Sequence, residues 1–102
     1  MDEDEHAVFY INLATIHKDG HLRRVWTLEE LKQTTADGVT STREFDEYDC
    51  NEKRGRTFLS REHSEPTVDG RAPRSVETPD AKWNHIPSYT PAEAILRRVC
   101  AR

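Results

Sequence analysis

Only two of the 102 residues are cysteines, and no hydrophobic run approaches the length of a membrane-spanning helix. Roughly 20 consecutive apolar residues are needed to cross a bilayer as a helix. The sequence therefore predicts no transmembrane segment. Fifteen lysines and arginines stand against nineteen aspartates and glutamates, which gives a net charge of -4. Because nucleic-acid-binding surfaces are usually basic, we expect no nucleic acid partner.

The motifs of several catalytic and metal-binding classes are also missing. The chain has no Cys-x-x-Cys, no His-Glu-x-x-His, no glycine-rich phosphate loop and no Gly-x-Ser-x-Gly elbow. His17, Asp19 and His21 resemble a ligand cluster, but the Asp19-Gly20 turn separates them, and tight sites need three or four convergent ligands. Carboxylates are plentiful, yet no pair stands out for acid–base work. We therefore predict no metal, no cofactor and no enzymatic activity.

The first third of the chain predicts a β-hairpin. Residues 7–15 are rich in β-branched and aromatic side chains, which is typical of a strand. Asp19-Gly20 follows, and this dipeptide is a strong hairpin signal because glycine accepts the positive φ of the turn. The returning strand is predicted over residues 22–28, in which Leu22, Trp26 and Leu28 share one face. We expect Trp26 to lie in the core.

Three further strands are predicted in the middle of the chain. The second of these, at about residues 56–63, contains Phe58, which we expect to lie in the core. Phe45 and Tyr48 are three residues apart, so they share a face only if a β-bulge lies near Asp46-Glu47. The acidic start of the chain, residues 1–6, is expected to be disordered. The strands are expected at about residues 39–50, 56–63 and 74–78, with a loop over 64–73.

The C-terminal segment predicts a short helix over residues 90–100. Thr90 is a natural N-cap, Pro91 suits the first helical position, and Glu93 completes a capping box. The apolar residues recur at helical spacing along one face, which must pack on the sheet because so short a helix is marginal alone. That face consists of Ala92, Ile95, Leu96, Val99 and Cys100, of which we expect Ile95, Leu96 and Val99 in the core.

Cys50 and Cys100 are predicted to form one disulfide. Such a bond closes a loop of about 50 residues and contributes roughly 4 kcal/mol in the chain-entropy model. It implies an oxidising compartment, since cytosolic thiols are kept reduced. The alternatives are a reactive thiol, which Asp49 and Glu52 beside Cys50 disfavour, and a cytosolic domain with both thiols reduced. The predicted fold is one mainly β, α+β domain spanning residues 1–102, an antiparallel sheet of about five or six strands with the helix on one face.

The arginines of the predicted strands are the candidate interaction surface. If they share one face, that face is basic and suits an acidic partner or the sulfate groups of a glycan. The alternative, which we favour, is that each arginine pairs with a cross-strand carboxylate. Trp83, near Pro87, is a candidate exposed anchor, or else a packing residue. The candidate surface residues are Arg54, Arg56, Arg61 and Trp83.

Four stretches of the chain, taken in this order and at these spacings, resemble the surface-adhesin protein E family of proteobacterial exported proteins. The similarity runs from about Tyr10 to Cys100. The stretches are Tyr10-Ile11-Asn12 with Lys18-Asp19-Gly20, Arg24-Val25-Trp26-Thr27-Leu28, Glu47-Tyr48-Asp49-Cys50 with Arg54-x-Arg56 and Leu59-Ser60, and Trp83-x-x-Ile86-Pro87 with Val99-Cys100.

The resemblance implies an exported, non-catalytic protein of the periplasm, outer membrane or cell surface. It also implies a small β-rich fold whose C-terminal helix is tied by the Cys50–Cys100 bond. The named members of the family include an adhesin that binds extracellular-matrix proteins of a host, so vitronectin and laminin are the expected partners, although many other members are uncharacterised proteins. A homodimer formed at a sheet edge is a further expectation. No signal peptide is recognisable, and a periplasmic structural or housekeeping role without a host ligand is the alternative function.

Overall fold

A computed structural model describes residues 2–3, 6–36, 38–64 and 74–102. Strands β1 to β6 lie side by side in sequence order as an antiparallel sheet, and β7 pairs with β5. The predicted mainly β fold with a C-terminal helix is thereby confirmed. The elements are β1 (Asp2–Glu3), β2 (Ala7–Asp19), β3 (Leu22–Leu31), β4 (Val39–Asp49), β5 (Arg54–Ser64), β6 (Ser75–Glu77), β7 (Asn84–His85) and α1 (Pro91–Cys100).

The hairpin of β2 and β3 turns where the sequence predicts it. Gly20 has a φ of 58°, in the left-handed region that glycine enters without a steric penalty. Asp19 pairs with Leu22 at the start of the ladder, which shifts register between His17 and Asn12 and then runs to Ala7 and Leu31. The returning strand is thus three residues longer than the expected end at Leu28. Glycine fixes the turn here, and the apolar alternation fixes the register.

The N-terminal segment, residues 1–6, contributes a short strand to the sheet. Asp2 and Glu3 form β1 by pairing with Phe9 and Val8 of β2. Residues 1, 4 and 5 lie outside the described residues, as does the expected loop over 64–73 beyond Ser64.

Helix α1 begins at a capped N-terminus and buries one face against the sheet. Thr90 Oγ1 accepts a hydrogen bond from the Glu93 backbone N–H at 3.2 Å, and Pro91 occupies the first turn. In the described part of the chain, no helix combines the length and apolar character needed to cross a membrane. The buried core consists of Val25, Tyr48 and Ile86 together with Ile95, Leu96 and Val99 of the helix.

Trp26 and Phe58 do not lie in this core, which corrects the prediction for both. Val25 is fully buried beneath α1, and its neighbour Trp26 therefore points to the opposite face of the sheet. There the Trp26 ring centroid lies 5.2 Å from that of Phe45, which lies 6.3 Å from that of Phe58. These half-buried rings form a second apolar cluster, because a ten-residue helix covers only one face of the sheet.

The predicted bulge in β4 near Asp46-Glu47 is replaced by one in β5. Asp46 pairs with Thr57 and Phe45 pairs with Leu59, so Phe58 has no partner in the ladder. Strand β4 is regular around Asp46-Glu47, its other register shift with β5 lying between Val39 and Ser41. Phe45 and Tyr48 consequently lie on opposite faces.

The Cys50–Cys100 disulfide predicted from the sequence is present. The two Cα atoms lie 5.8 Å apart, within the usual range for a disulfide. Cys50 directly follows β4 and Cys100 ends α1. The bond therefore ties the last turn of the helix to the end of a central strand.

Replacing Gly55 with valine should lower the free energy of unfolding by about 2 kcal/mol. A Cβ at this position would lie 3.2 Å from a ring carbon of Tyr48 and 3.3 Å from Cδ1 of Ile86. Overpacking a core at such contacts costs roughly 1–3 kcal/mol. Urea unfolding of the purified variant measures the change. An equally stable Gly55→Val variant would mean that Tyr48 and Ile86 move aside freely.

Candidate interaction surface

Arginines of β3 and β5 meet a carboxylate of β4 on the sheet face opposite α1. The register places Arg24, Glu47 and Arg56 in one row across the three strands. Arg24 Nε donates to Glu47 Oε2 at 2.8 Å, and Arg56 Nε donates to Oε1 at 2.8 Å. A terminal nitrogen of Arg56 also lies 2.6 Å from Oε1. One carboxylate therefore holds two guanidinium groups in place.

A second row lies beside the first, at the β4–β5 turn. Asp49 Oδ2 accepts a hydrogen bond from Arg54 Nε at 3.0 Å. Its Oδ1 accepts from the backbone N–H groups of Asn51 at 3.1 Å and Glu52 at 3.2 Å. His21 Nε2 lies 3.7 Å from the same oxygen. Asp49 thus closes the turn and anchors an arginine with one side chain.

Both carboxylates remain ionised although their side chains are only 1% exposed. Burial opposes ionisation of Glu47, but hydrogen bonds from Arg24 and Arg56 and their positive charges outweigh it, so its pKa lies below the ordinary value. Burial likewise opposes ionisation of Asp49. Hydrogen bonds from backbone N–H groups and from Arg54 overcome it and lower the pKa of Asp49.

Aromatic rings cover the guanidinium groups of both rows. The guanidinium carbons of Arg54 and Arg56 lie 4.7 and 4.2 Å from the centroid of the Trp83 ring. Those of Arg24 and Arg56 lie 5.5 and 4.9 Å from the centroid of the Phe58 ring. Such cation–π contacts contribute about 0.5–1 kcal/mol each at exposed sites. We call this assembly the arginine–tryptophan surface, and it consists of Arg24, Arg54, Arg56, Phe58 and Trp83 over Glu47 and Asp49.

Three of the four candidate surface residues come together, and one lies apart. Arg54, Arg56 and Trp83 contact one another as described above. Arg61 pairs across the strands with Arg43 of β4 and with Ser75 of β6. It lies five residues beyond Arg56, roughly 16 Å along β5 at 3.3 Å per residue. The structure therefore places Arg61 outside the arginine–tryptophan surface.

Arg24, Glu47 and Asp49 also belong to this surface, although the sequence did not single them out as surface residues. For Glu47 and Asp49 the detectable signal was their spacing of two residues, which places alternate charged side chains on one face of a strand. Arg23 takes the other face for the same reason, and its guanidinium donates to the Gly20 carbonyl oxygen at 2.6 Å. The favoured expectation of cross-strand ion pairs describes Arg24, Arg54 and Arg56 correctly.

A pair of carboxyl groups lies on the helix-covered face, where the sequence analysis had found none. Glu44 and Asp46 are two residues apart on β4 and therefore share a face. Asp46 accepts hydrogen bonds from Thr27 Oγ1 at 2.8 Å and Thr57 Oγ1 at 2.7 Å. The Tyr48 hydroxyl donates to it at 3.3 Å. The spacing of two residues on a predicted strand is the signal that could have revealed this pair.

Two cavities of about 530 and 270 Å³ are lined by this carboxyl pair. Burial raises the pKa of Glu44 to about 7, and the charge of Asp46 adds to the rise. Burial also raises the pKa of Asp46, against the hydrogen bonds from Thr57 and Thr27. The pair therefore retains a proton up to nearly neutral pH. Among the described residues, no group of three or more histidine, cysteine, aspartate or glutamate side chains is arranged to hold a metal ion.

The comparisons with known proteins agree with this architecture. A family model described as Surface-adhesin protein E matches residues 1–101, a span that includes the whole sheet, both cysteines and α1. No curated protein and no solved structure matched the chain. Because the family match covers essentially the whole length, the chain belongs to the surface-adhesin protein E family.

Proposed function

We propose that this protein is exported and binds another protein at the cell surface, in the outer membrane or in the periplasm, without catalysing a reaction. Membership of the surface-adhesin protein E family supports a role in surface adhesion. The Cys50–Cys100 disulfide supports an oxidising compartment, because such bonds rarely persist among reduced cytosolic thiols.

The arginine–tryptophan surface is the observation that carries this proposal. Arginine and tryptophan are enriched among the residues that supply most of the binding energy at protein interfaces. Here Arg54 and Arg56 are already held by buried carboxylates and by the Trp83 ring. A partner would therefore lose little side-chain entropy in ordering them. The surface lies on the face of the sheet opposite α1, so the helix does not obstruct it.

Vitronectin and laminin are the proposed partners, by resemblance to the named members of the family. A second copy of the chain is another proposed partner. Strand β6 has three residues at the edge of the sheet, and its Val76 is 56% exposed. Exposed edge strands offer unpaired backbone groups to a second strand. Light scattering over a range of protein concentrations would detect such a dimer.

Replacing Trp83 with alanine should weaken binding to immobilised vitronectin or laminin about 30-fold. Truncating an interface anchor typically costs about 2 kcal/mol, and each 1.4 kcal/mol is a factor of ten in affinity. Surface plasmon resonance at physiological salt measures the change. Tyr89→Ala is the matched control, since Tyr89 is an aromatic residue that is 97% exposed and lies outside the arginine–tryptophan surface.

Two outcomes would contradict the proposal. If the wild-type chain shows no saturable binding to either protein, the alternative role as a periplasmic structural or housekeeping protein without a host ligand is favoured. If Trp83→Ala and Tyr89→Ala bind as well as the wild type, binding uses a different surface. The melting temperature of each variant, measured in parallel, separates lost contacts from lost folding.

A further inference from the structure

The arginine–tryptophan surface has hydrogen-bond donors that the described residues leave unused. Arg24 and Arg54 each reach their carboxylate through Nε, and within the described residues their terminal nitrogens make no hydrogen bond. Their side chains are 47% and 40% exposed. Arg56 differs, because its terminal nitrogens contact Glu47 and the Ala81 carbonyl oxygen. A guanidinium carries five N–H donors, so most donors of Arg24 and Arg54 face solvent.

These two guanidinium groups are held in fixed positions. Each is anchored through Nε on a buried carboxylate, and each lies over an aromatic ring, that of Phe58 for Arg24 and that of Trp83 for Arg54. Immobilising a long side chain on binding costs about 0.5–1.5 kcal/mol. For Arg24 and Arg54 much of that cost is met within the folded protein, which favours their use in recognition.

The charge of the surface favours an anionic group. Three guanidinium groups, those of Arg24, Arg54 and Arg56, stand over only two carboxylates. Both carboxylates are 1% exposed, so the solvent-facing atoms are N–H donors. Arginine binds carboxylates in a bidentate geometry. Arg24 and Arg54 lie two strands apart across the sheet and two residues apart along it. With strands spaced about 4.8 Å apart and a rise of 3.3 Å per residue, their Cα atoms are separated by roughly 12 Å.

An apolar groove beside Arg24 narrows the choice of partner. Its volume is about 320 Å³, and it is lined by Arg24, Phe45, Phe58, Leu59, Glu77 and Pro79. The aromatic floor suits an apolar side chain. Glu77 places a negative charge at the same groove, and the whole protein carries a net charge of -4. Because the repulsion grows with the number of charges on the ligand, both features disfavour a long polyanion such as a sulfated polysaccharide more than a short segment with a few carboxylates.

We propose that the arginine–tryptophan surface receives a short acidic segment of a protein partner that also carries an apolar side chain. Carboxylates of the segment accept hydrogen bonds from the terminal nitrogens of Arg24 and Arg54, and the apolar side chain enters the groove that Phe45 and Phe58 line. This inference rests on the proposed function and gives the chemistry of the partner at the same surface.

The probe for this inference is a short fluorescein-labelled peptide of alternating glutamate and phenylalanine, with binding followed by fluorescence anisotropy. We expect saturable binding that Arg24→Gln and Arg54→Gln each weaken about tenfold, since a hydrogen bond to a charged group contributes roughly 1.5–3 kcal/mol. Arg61→Gln is the matched control. It removes the same charge from β5 outside the surface and should change affinity less than about twofold.

Three results would overturn the inference. The first is no binding of the glutamate–phenylalanine peptide by the wild-type protein. The second is an equal loss of affinity in Arg61→Gln, which would indicate attraction by overall charge. The third is tighter binding of a labelled heparin fragment that depends on Arg24 and Arg54, which would indicate a polysaccharide site. Unchanged circular dichroism spectra of the variants establish that each loss reflects the surface rather than the fold.

The same variants separate this inference from the proposed function. Peptide binding that depends on Arg24 and Arg54, without binding to vitronectin or laminin, supports the inference and contradicts those two partners. Binding to vitronectin or laminin that Trp83→Ala weakens, while Arg24→Gln and Arg54→Gln do not, supports the proposed function and overturns the acidic segment.

Discussion

Replacing both Cys50 and Cys100 with alanine should lower the free energy of unfolding by about 4 kcal/mol. The bond spans a sequence separation of 50 residues. In the chain-entropy model, cross-linking a loop of that length removes roughly 4 kcal/mol of conformational freedom from the unfolded chain. Small domains are stabilised by only about 5–15 kcal/mol in total. Loss of the bond should therefore leave a protein close to its unfolding threshold.

Urea unfolding of the wild type and of the double variant, each with and without a reducing agent, measures this effect. The reductant should destabilise the wild type to the level of the variant and leave the variant unchanged. Intact-mass measurement after alkylation should find two modified thiols in the wild type only after reduction. Two accessible thiols in the unreduced protein, or a double variant within about 1 kcal/mol of the wild type, would contradict the prediction.

The elements predicted correctly are those with a strong local signal. The Asp19-Gly20 turn follows from the conformational freedom of glycine, and the helix begins where Thr90 and Pro91 predict it. The disulfide is the one pairing that two cysteines allow, and the apolar helix face that carries Cys100 must pack on the sheet. For the turn and the helix, a few neighbouring residues determine the structure.

The face of the sheet on which the core forms could not be predicted in this way. Both faces of β3 carry apolar side chains, Val25 on one and Trp26 on the other. Helix α1 packs on the face that carries Val25, and the sequence of β3 does not indicate which of its two faces the helix covers. On the other face, arginine side chains cover the aromatic rings, so Phe58 is sheltered without being in the main core. In a sequence, arginines that cover aromatic rings in this way cannot be distinguished from arginines that only face solvent.

Three of the four residues predicted for the candidate surface lie together, because residue type can be read from the sequence whereas position on the sheet cannot. Arg54, Arg56 and Trp83 were selected by residue type, and the sheet brings them together. Arg61 was selected in the same way, but the bulge at Phe58 and its distance along β5 separate it from the others. Predicting Glu47 as the shared partner of Arg24 and Arg56 requires the register of β4 against both β3 and β5, which depends on contacts distant in sequence.

The carboxyl pair beneath α1 should make the protein less stable as the pH rises from about 5 to 8. The pKa of Glu44 is about 7 in the folded protein against 4.5 ordinarily, because of burial and of the charge of Asp46. Between these values the folded chain binds more protons than the unfolded chain, so the free energy of unfolding falls with rising pH. The stabilisation is complete below about pH 4.5 and lost above about pH 7.

The opposite behaviour is expected in acid, which places the maximum of stability near pH 5. The pKa values of Glu47 and Asp49 lie below their ordinary values, so their contribution is present above those ordinary values and lost as the pH falls further. Most small proteins are most stable at some point between about pH 5 and 8. Here the decline on the neutral side has an identified source.

Glu44→Gln should remove most of the decline on the neutral side, because glutamine keeps the shape of the protonated carboxyl group without its ionisation. A pKa change of 2.5 units corresponds to at most about 3 kcal/mol at 1.36 kcal/mol per unit. Urea unfolding at several pH values from about 5 to 8 measures the slope for both proteins. Glu52→Gln, which removes an exposed carboxylate at the β4–β5 turn, is the charge-matched control and should retain the wild-type slope. Equal slopes of the free energy of unfolding against pH in the wild type and in Glu44→Gln would contradict the prediction. They would show that ionisation of Glu44 does not destabilise the fold, and that the threonine hydrogen bonds to Asp46 stabilise the charges of both Glu44 and Asp46.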